Sequence, residues 1–255
     1  MAKKGGSRHL KRYAAPRVFQ IPVKEHKWAV KPEPGPHPQD FCIPLGIVIR
    51  DLLGYAKTLR EAKKILANRE VLVDGRPRTS HKYPVGLMDV VEIPKAGERF
   101  RVVPHPVKQL TLHPISEEEA KFKLCMVKNK TTVNGGHIQL NLHDGSNILV
   151  RVSDPRNPVE DVYKTKDVLK VSLPEREILD KLEFKEGALA VIIGGKNVGK
   201  VGRIEKIQVS EFYPKRKLVL LKSMSGEEIC TTPDKVFVIG VEEPVISMPE
   251  ECFKP

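Results

Sequence analysis

Hydrophobic residues recur with a helical period in two segments after residue 43 and predict two short helices. The apolar residues of 45–53 follow one another at intervals of three and four, so they share one helix face. Pro44 suits the first turn of this helix, and Gly54 suits its C-terminal end. Thr58 and Glu61 then stand at capping-box spacing, which predicts that a second helix begins at residue 59.

The second predicted helix separates apolar from basic side chains. At about 100° per residue, its apolar face holds Ala62, Ile65 and Leu66, and its opposite face holds Arg60, Lys63 and Lys64. A charged helix face usually only contacts solvent. More basic residues follow closely in the sequence, and they favour an anionic partner for this face.

Two strand patterns follow the second helix. Val71 and Val73 indicate the first strand, Asp74-Gly75 is a hairpin-turn sequence, and residues 90–93 indicate the second strand. Between the two strands lie the basic residues Arg76, Arg78 and Lys82.

The region from Pro104 to about Val171 has a β-rich pattern. Apolar-polar alternation is interrupted by turn sequences at 134–136 and 143–145. This spacing predicts a small antiparallel barrel or sandwich. Ser116 and Glu119 predict a short capped helix that leads into it.

The stretch GGKNVGKVGR at 194–203 raises the question of a nucleotide site. It fits the phosphate-binding pattern G-x-x-x-x-G-K-[ST] except that Val201 replaces the hydroxyl residue that holds magnesium. Gly202 and the β-branched residues around it disfavour the helix that such a loop needs. We therefore predict a hairpin in which Gly195, Gly199 and Gly202 allow positive φ or close backbone approach. The basic residues of this hairpin are Lys196, Lys200 and Arg203.

The net charge of the chain indicates that this set of small modules is a candidate polyanion-binding protein. The 255 residues include 44 Lys and Arg against 32 Asp and Glu, which gives a formal net charge of +12. Nine basic residues and one acidic residue lie between Met1 and Lys31. Alternate prolines at 32–38 disfavour helix and ladder, so we predict an extended basic arm. Trp28 in this arm either stacks on a base or packs against its own protein.

Several function classes are disfavoured by what the sequence lacks. The basic start has no apolar run or cleavage site, so we do not expect a targeting segment, and no apolar stretch is long enough to cross a bilayer. We expect no bound metal, because the histidines are scattered and the four cysteines lack C-x-x-C spacing. The cysteines, expected to be reduced, are Cys42, Cys125, Cys230 and Cys252.

The two predicted helices and the strands after them resemble the S-four (S4) RNA-binding module. The matching positions are Thr58, Arg60, Glu61, Ala62, Lys63, Ile65, Val71, Val73, Gly75, Tyr83, Val85, Gly86, Asp89 and Ile93. Arg69 departs from the pattern, because the family commonly has glycine there, and the helix end is expected to be wound differently. The later hairpin resembles a KOW motif through Gly187, Val191, Ile193, Gly195, Gly199, Lys200, Gly202 and Ile204.

Taken in order, these segments resemble the S-four-e (S4e) family of small-subunit ribosomal proteins over nearly the whole chain. The resemblance implies an α+β fold of several modules: a basic extended arm at 1–40, an S4-like module at 41–106, a central β-rich domain at 107–175, an SH3-like β-barrel with a KOW motif at 176–243, and a tail at 244–255. The chain ends at residue 255 without the basic extension usual in eukaryotic members, which favours an archaeal source.

The resemblance implies a structural protein of the cytoplasmic small ribosomal subunit. Its partners would be small-subunit rRNA and neighbouring ribosomal proteins, with no membrane, small-molecule substrate or cofactor and no catalytic residue. The candidate RNA-binding residues are Lys3, Lys4, Arg8, Lys11, Arg12, Arg17, Trp28, Arg60, Lys63, Lys64, Arg76, Arg78, Lys82, Lys196, Lys200 and Arg203.

Two other functions remain open at this point. An RNA-modifying enzyme can carry an S4 module, but it would need a large catalytic domain, and the remaining residues indicate only small β units. A transcription-elongation factor can use a KOW domain to hold polymerase, but a strongly basic arm fits that function less well.

Overall fold

The structure is a computed structural model that describes residues 7–154, 158–209, 213, 215, 217–223 and 226–253. Within these residues β-strands dominate. The strands are β1 Leu10–Lys11, β2 Trp28–Ala29, β3 Cys42–Pro44, β4 Leu72–Val73, β5 Arg76–Pro77, β6 Pro84–Gly86, β7 Val90–Ile93, β8 Glu98–His105, β9 Gln109–Pro114, β10 Phe122–Thr132, β11 Ile138–Leu142, β12 Asn147–Val150, β13 Val168–Ser172, β14 Ile178–Leu182, β15 Leu189–Ile192, β16 Val201–Val209, β17 Lys217–Ser223, β18 Glu228–Thr231 and β19 Val236–Gly240.

The helices in the described ranges are short. They are α1 Leu45–Ile47, which continues as a π-helical turn at Val48–Leu52, α2 Leu59–Ala67 and α3 Glu117–Ala120. Single 3-10 turns lie at Arg12–Ala14, Arg17–Phe19, Gln39–Phe41, Pro233–Lys235 and Glu250–Cys252. The predicted mixture of few helices and many strands is therefore confirmed.

The strands form three five-stranded sheets, each with antiparallel neighbours. The first sheet has the order β5-β4-β7-β8-β9, the central sheet β12-β11-β10-β13-β14, and the C-terminal sheet β18-β17-β16-β15-β19. Two smaller pairs accompany them: β1 with β2, called the arm hairpin below, and β3 with β6. The first and C-terminal sheets contribute to one continuous apolar core, called the main core below, and one face of β10 and β13 in the central sheet packs into it. The alternate residues of β10 and β13 form a second core together with β11.

Both helices predicted after residue 43 are present. Thr58 Oγ1 accepts a hydrogen bond from the backbone N–H of Glu61, whose carboxylate accepts one from the N–H of Thr58, so the predicted capping box is confirmed. Gly54 ends the first helical segment with a φ of 72°. Arg69 has a φ of 58°, so the left-handed helix end is retained without glycine, and the expectation of different winding is wrong.

The N-terminal segment is less extended than predicted. Residues 34–38 lack regular structure, but the segment before them contains the arm hairpin and two 3-10 turns. Val18 and Phe19 are almost completely buried in the main core, so this part of the segment is packed against the protein. Apolar burial outweighs the repulsion among its basic residues because their charged ends remain at the surface.

A buried ionic cluster joins the N-terminal segment, the first sheet and the central sheet. Lys123 Nζ lies 2.7 Å from Asp74 Oδ2 and 3.3 Å from Asp144 Oδ2. Asp89 accepts hydrogen bonds from the N–H of Gly86 and from Lys123, and it lies 3.0 Å from His37 Nε2. Burial acts to raise the pKa of Asp89, but His37 and Lys123 outweigh it, so that pKa lies below the ordinary value.

The stretch at 194–203 forms the predicted hairpin. β15 and β16 are antiparallel, and Val201 begins a strand where a phosphate-binding loop would begin a helix. Gly195 and Gly199 have φ values of 95° and 83°. A Cβ atom on Gly202 would lie 2.6 Å from the carbonyl oxygen of Lys222, so this position requires glycine for close backbone approach.

Candidate nucleic-acid interface

The arm hairpin brings the aromatic and basic residues of the N-terminal segment together. Lys11 pairs with Trp28 across the hairpin. The Trp28 side chain is 53% exposed, and the ammonium groups of Lys11 and Lys27 lie 6.0 Å and 5.7 Å from its ring centroid. His9 contacts the same ring at a centroid distance of 5.8 Å. An exposed ring flanked by cations is suited to stacking against a nucleobase.

Arg12 holds this hairpin in shape. Its Nε donates a hydrogen bond of 2.8 Å to the carbonyl oxygen of Pro22, and its Nη2 donates to that of Ile21. The guanidinium of Arg12 is therefore engaged with the backbone inside the arm, whereas Arg8 and Lys11 are exposed.

A groove of about 460 Å³ separates the arm hairpin from the helical part of the chain. We call it the basic groove, because none of its described lining residues is acidic. Those residues are Arg8, His9, Leu10, His26, Lys27, Trp28, Ala29, Val30, Lys31, Arg50, Leu59, His81 and Lys82. Arg50 also pairs with Asp51 at 2.8 Å, so the charge of that guanidinium is partly neutralised.

Helix α2 begins at the edge of the basic groove. Leu59 lines the groove, and Arg60, Lys63 and Lys64 lie exposed on the helix that follows. Burial, followed by the charges of Lys63 and Lys82, lowers the pKa of His81 in the groove wall. The arm and the cationic face of α2 therefore contribute to one region of positive potential.

The basic residues between β4 and β6 have different surroundings. Arg76 is exposed on β5. The Arg78 guanidinium carbon lies 4.4 Å from the ring centroid of Tyr83, so this side chain is half-buried in a cation-π contact. Lys82 lines the basic groove, and its carbonyl oxygen accepts a hydrogen bond from the N–H of Glu33.

The remaining candidates lie away from the basic groove. Arg17 lines another groove together with Gly194 and Gly195 of the turn between β15 and β16 (193–200), called the glycine turn below. Lys196 in this turn is exposed.

Two further candidates already have partners within the protein. Lys200 Nζ lies 2.6 Å from Glu227 Oε2, and Arg203 donates a hydrogen bond of 3.5 Å to the carbonyl oxygen of Glu242. Lys3 and Lys4 fall outside the residues that the structure describes.

Several basic lining residues of the basic groove are missing from the sequence-based candidates. They include Lys27, Lys31, Arg50 and His81. Lys27 and Lys31 belong to the basic run before the prolines, and charge density could have identified them. Arg50 interrupts the apolar pattern of the first helix, whereas His81 had no sequence signal because the groove forms only when the arm folds back onto residues 80–82.

The arrangement of these groups favours binding of a polyanion. Lysine and arginine side chains supply point charges and planar donors for phosphate oxygens. Among the described residues, no group of three or more His, Cys, Asp or Glu side chains is placed to hold a metal ion. Nor does any helix of this part of the chain have the length and apolar character needed to span a bilayer.

Three family models match successive parts of the chain. Residues 4–40 match the RS4NT (NUC023) domain, residues 48–91 match the S4 domain, and residues 96–178 match the Ribosomal family S4e.

Curated relatives match along the full length. The small ribosomal subunit protein eS4 of Aeropyrum pernix is 54% identical over 254 residues and covers 100% of both chains. The protein of the same name from Methanocaldococcus jannaschii is 51% identical and covers 97% of this chain and 100% of its own. Among solved structures, the crystal structure of the 30S ribosomal protein S4e from Thermoplasma acidophilum is 37% identical and has a TM-score of 0.63. That match covers 77% of this chain and 93% of the other.

Proposed function

Because the chain belongs to the ribosomal S4e family, we propose that it is a structural protein of the small ribosomal subunit that binds small-subunit rRNA through its basic groove. This membership confirms the family resemblance seen in the sequence. The protein acts in translation, in the cytoplasmic ribosome, and it is not an enzyme. Membership of this family favours this function over both alternatives, an RNA-modifying enzyme and a transcription-elongation factor.

One observation supports the proposed binding surface above the others. The exposed ring of Trp28 and the cations Lys27, Lys31, Arg50 and Lys82 line the same basic groove, and none of its described lining residues is acidic. A phosphate backbone in this groove would meet several cations, and release of its counterions would drive binding. Recognition would depend on RNA shape, because these contacts carry little base specificity.

The face of α2 extends this surface, and the glycine turn adds a second one. Arg60, Lys63 and Lys64 are exposed beside the basic groove, and they would contact phosphates of the same RNA segment. Arg17 and Lys196 would contact a separate segment near the glycine turn. Lys200, Arg203, Arg12 and Arg78 would contribute less, since each already contacts a partner within the protein.

We also propose that the C-terminal sheet is the SH3-like barrel with a KOW motif. The antiparallel β15–β16 hairpin, the positive φ of Gly195 and Gly199, and the close approach at Gly202 support this assignment. The division at 1–40, 41–106, 107–175, 176–243 and 244–255 is part of the same proposal. The sheets follow this order along the chain, although buried contacts join them.

Sedimentation of the tagged protein in a cell extract tests the proposed function. At low salt the protein should co-migrate with small ribosomal subunits in a sucrose gradient, and high salt should release part of it because phosphate contacts are screened. A protein that sediments alone at both salt concentrations would contradict the proposal.

A further inference from the structure

A second groove, of about 340 Å³, lies between segments that are distant in sequence. We call it the Phe41 groove. Arg17 comes from the N-terminal segment, Leu110 from β9, and Gly194 and Gly195 from the glycine turn. The groove therefore forms only in the folded chain. The main core contains Val18 and Leu110, and Ile193 packs against it, so each contributing segment is held in place.

Phe41 places an aromatic ring in this groove with much of its surface exposed. The residue ends the 3-10 turn Gln39–Phe41 and precedes β3, whose residues are all buried, yet Phe41 is 55% exposed. Its Cε1 atom lies 3.9 Å from the position that a Cβ atom would take on Gly194. Because Gly194 has no side chain, the Phe41 ring lies beside backbone at this point, and another planar group can approach its exposed surface.

Cationic groups surround the same turn. Arg17 lines the groove, and Lys235 Nζ lies 3.3 Å from the position of a Cβ atom on Gly195. Lys196 follows directly in the turn and is exposed. Within the part of the chain that the structure describes, none of these three side chains forms an ion pair, and Asp40 is the acidic residue that lines the groove. The lining itself thus holds Arg17 and Asp40, and Lys196 and Lys235 add positive charge at the adjacent turn.

We propose that the Phe41 groove binds one unpaired nucleotide of the small-subunit rRNA, with its base stacked on Phe41 and its phosphates beside Arg17 and Lys235. This inference rests on the proposed rRNA-binding function and adds a second, separate site to it. An exposed aromatic ring next to cations is the combination that binds single-stranded nucleotides, because every base has a face that stacks. An apolar segment of a protein would leave these cations without a partner, so the charge favours a nucleotide.

Binding of full-length variants to the cognate small-subunit rRNA tests the site. Phe41→Leu keeps an apolar side chain but removes the ring, and it should weaken binding by about tenfold with an unchanged salt dependence. Phe41→Tyr keeps the ring and should bind like the wild type. Arg17→Gln should make the dependence of log K on log salt shallower by about one unit. Because Phe41 is half exposed, these variants should retain the wild-type unfolding midpoint, which is measured alongside.

Chemical probing of the complexes gives a second readout. In the wild-type complex, one unpaired base should be protected from a base-modifying reagent. The same base should become reactive in the Phe41→Leu complex, while the backbone footprint elsewhere stays the same. If Phe41→Leu binds rRNA as tightly as the wild type and protects the same bases, the nucleotide site is wrong. If it binds rRNA normally but loses a neighbouring ribosomal protein from the assembled subunit, the groove binds protein and the inference is also wrong. If the wild type itself does not bind the rRNA, the proposed function fails.

Discussion

Lys123 Nζ lies 2.5 Å from Asp89 Oδ1, so an ammonium group of the central sheet is buried against a carboxylate of the turn that precedes β7. Asp74, Asp144 and His37 complete the cluster. The attraction of Asp89 and Asp74 outweighs the effect of burial and raises the pKa of Lys123 well above its ordinary value. This cluster therefore joins the first sheet to the central sheet.

Removal of the buried ammonium should destabilise the protein strongly. Lys123→Met leaves neighbouring carboxylates buried without their cation, and we expect a loss of about 3–5 kcal/mol in the free energy of unfolding. Lys166→Met is the matched control, because Lys166 pairs with the exposed Asp234 and its loss should cost at most about 1 kcal/mol. Urea unfolding of both variants measures the difference. Adding Asp74→Asn to Lys123→Met should recover part of the loss, and strictly additive effects would contradict the coupling.

Acid should destabilise the protein through His143. Its Nδ1 accepts a hydrogen bond from the N–H of Met126, and its Nε2 lies 3.2 Å from the carbonyl oxygen of Leu87, which requires the neutral ring with the proton on Nε2. Burial, followed by the charge of Lys123, lowers the pKa of His143 from 6.5 to about 4. The unfolded chain therefore takes up this proton first, and stability that is present above pH 6.5 is lost as the pH falls to about 4.

The expected loss between those pH values is about 3 kcal/mol, from about 1.4 kcal/mol per unit of pKa. His143→Gln does not titrate, so its free energy of unfolding should vary less with pH over this interval. Urea unfolding at a series of pH values measures both proteins. Equal pH dependence in the two proteins would show that His143 is not the group responsible.

Alanine substitution of two glycines distinguishes the cost of backbone strain from the cost of a close contact. Gly199 and Gly187 have similar φ values, 83° and 87°. A Cβ atom on Gly199 would lie 2.5 Å from the backbone nitrogen of Pro106, whereas one on Gly187 would have no atom within 4 Å. Gly187→Ala should therefore cost about 1 kcal/mol, and Gly199→Ala about 3 kcal/mol or more. Thermal unfolding of both variants gives the comparison, and equal losses would mean that contact with the β8–β9 turn contributes nothing.

Local sequence signals predicted the elements, whereas long-range pairing determined the site. The capping box of Thr58 and Glu61 and the glycines of the 194–203 hairpin act on their nearest neighbours, so the sequence was sufficient for them. Lys123 looks like an ordinary residue of an alternating strand, and its carboxylate partners lie 21 to 49 residues away. The helical period of 45–53 likewise could not distinguish an α-helix from the π-helical turn that follows Ile47.

The single tryptophan provides a direct probe of the arm hairpin. If the exposed ring of Trp28 stacks on a base, binding of small-subunit rRNA should quench its fluorescence and reduce its quenching by acrylamide. Trp28→Leu should weaken rRNA binding by about 1–3 kcal/mol, and Trp28→Phe by less, because phenylalanine retains an aromatic face. Unchanged emission on binding, together with normal affinity of Trp28→Leu, would indicate that the ring packs only against its own protein.

The salt dependence of rRNA binding tests the central claim most directly. The affinity of the full-length protein for small-subunit rRNA is measured at several salt concentrations and compared with that of Arg60→Gln/Lys63→Gln/Lys64→Gln. A control with the same net charge, Lys95→Gln/Lys121→Gln/Lys185→Gln, changes exposed lysines outside the proposed surfaces. We predict a steep loss of affinity with salt for the wild type and the control, and a slope that is shallower by roughly two to three units for the α2 variant. Equal slopes for the two triple variants, or no binding of rRNA by the wild type at low salt, would contradict the account.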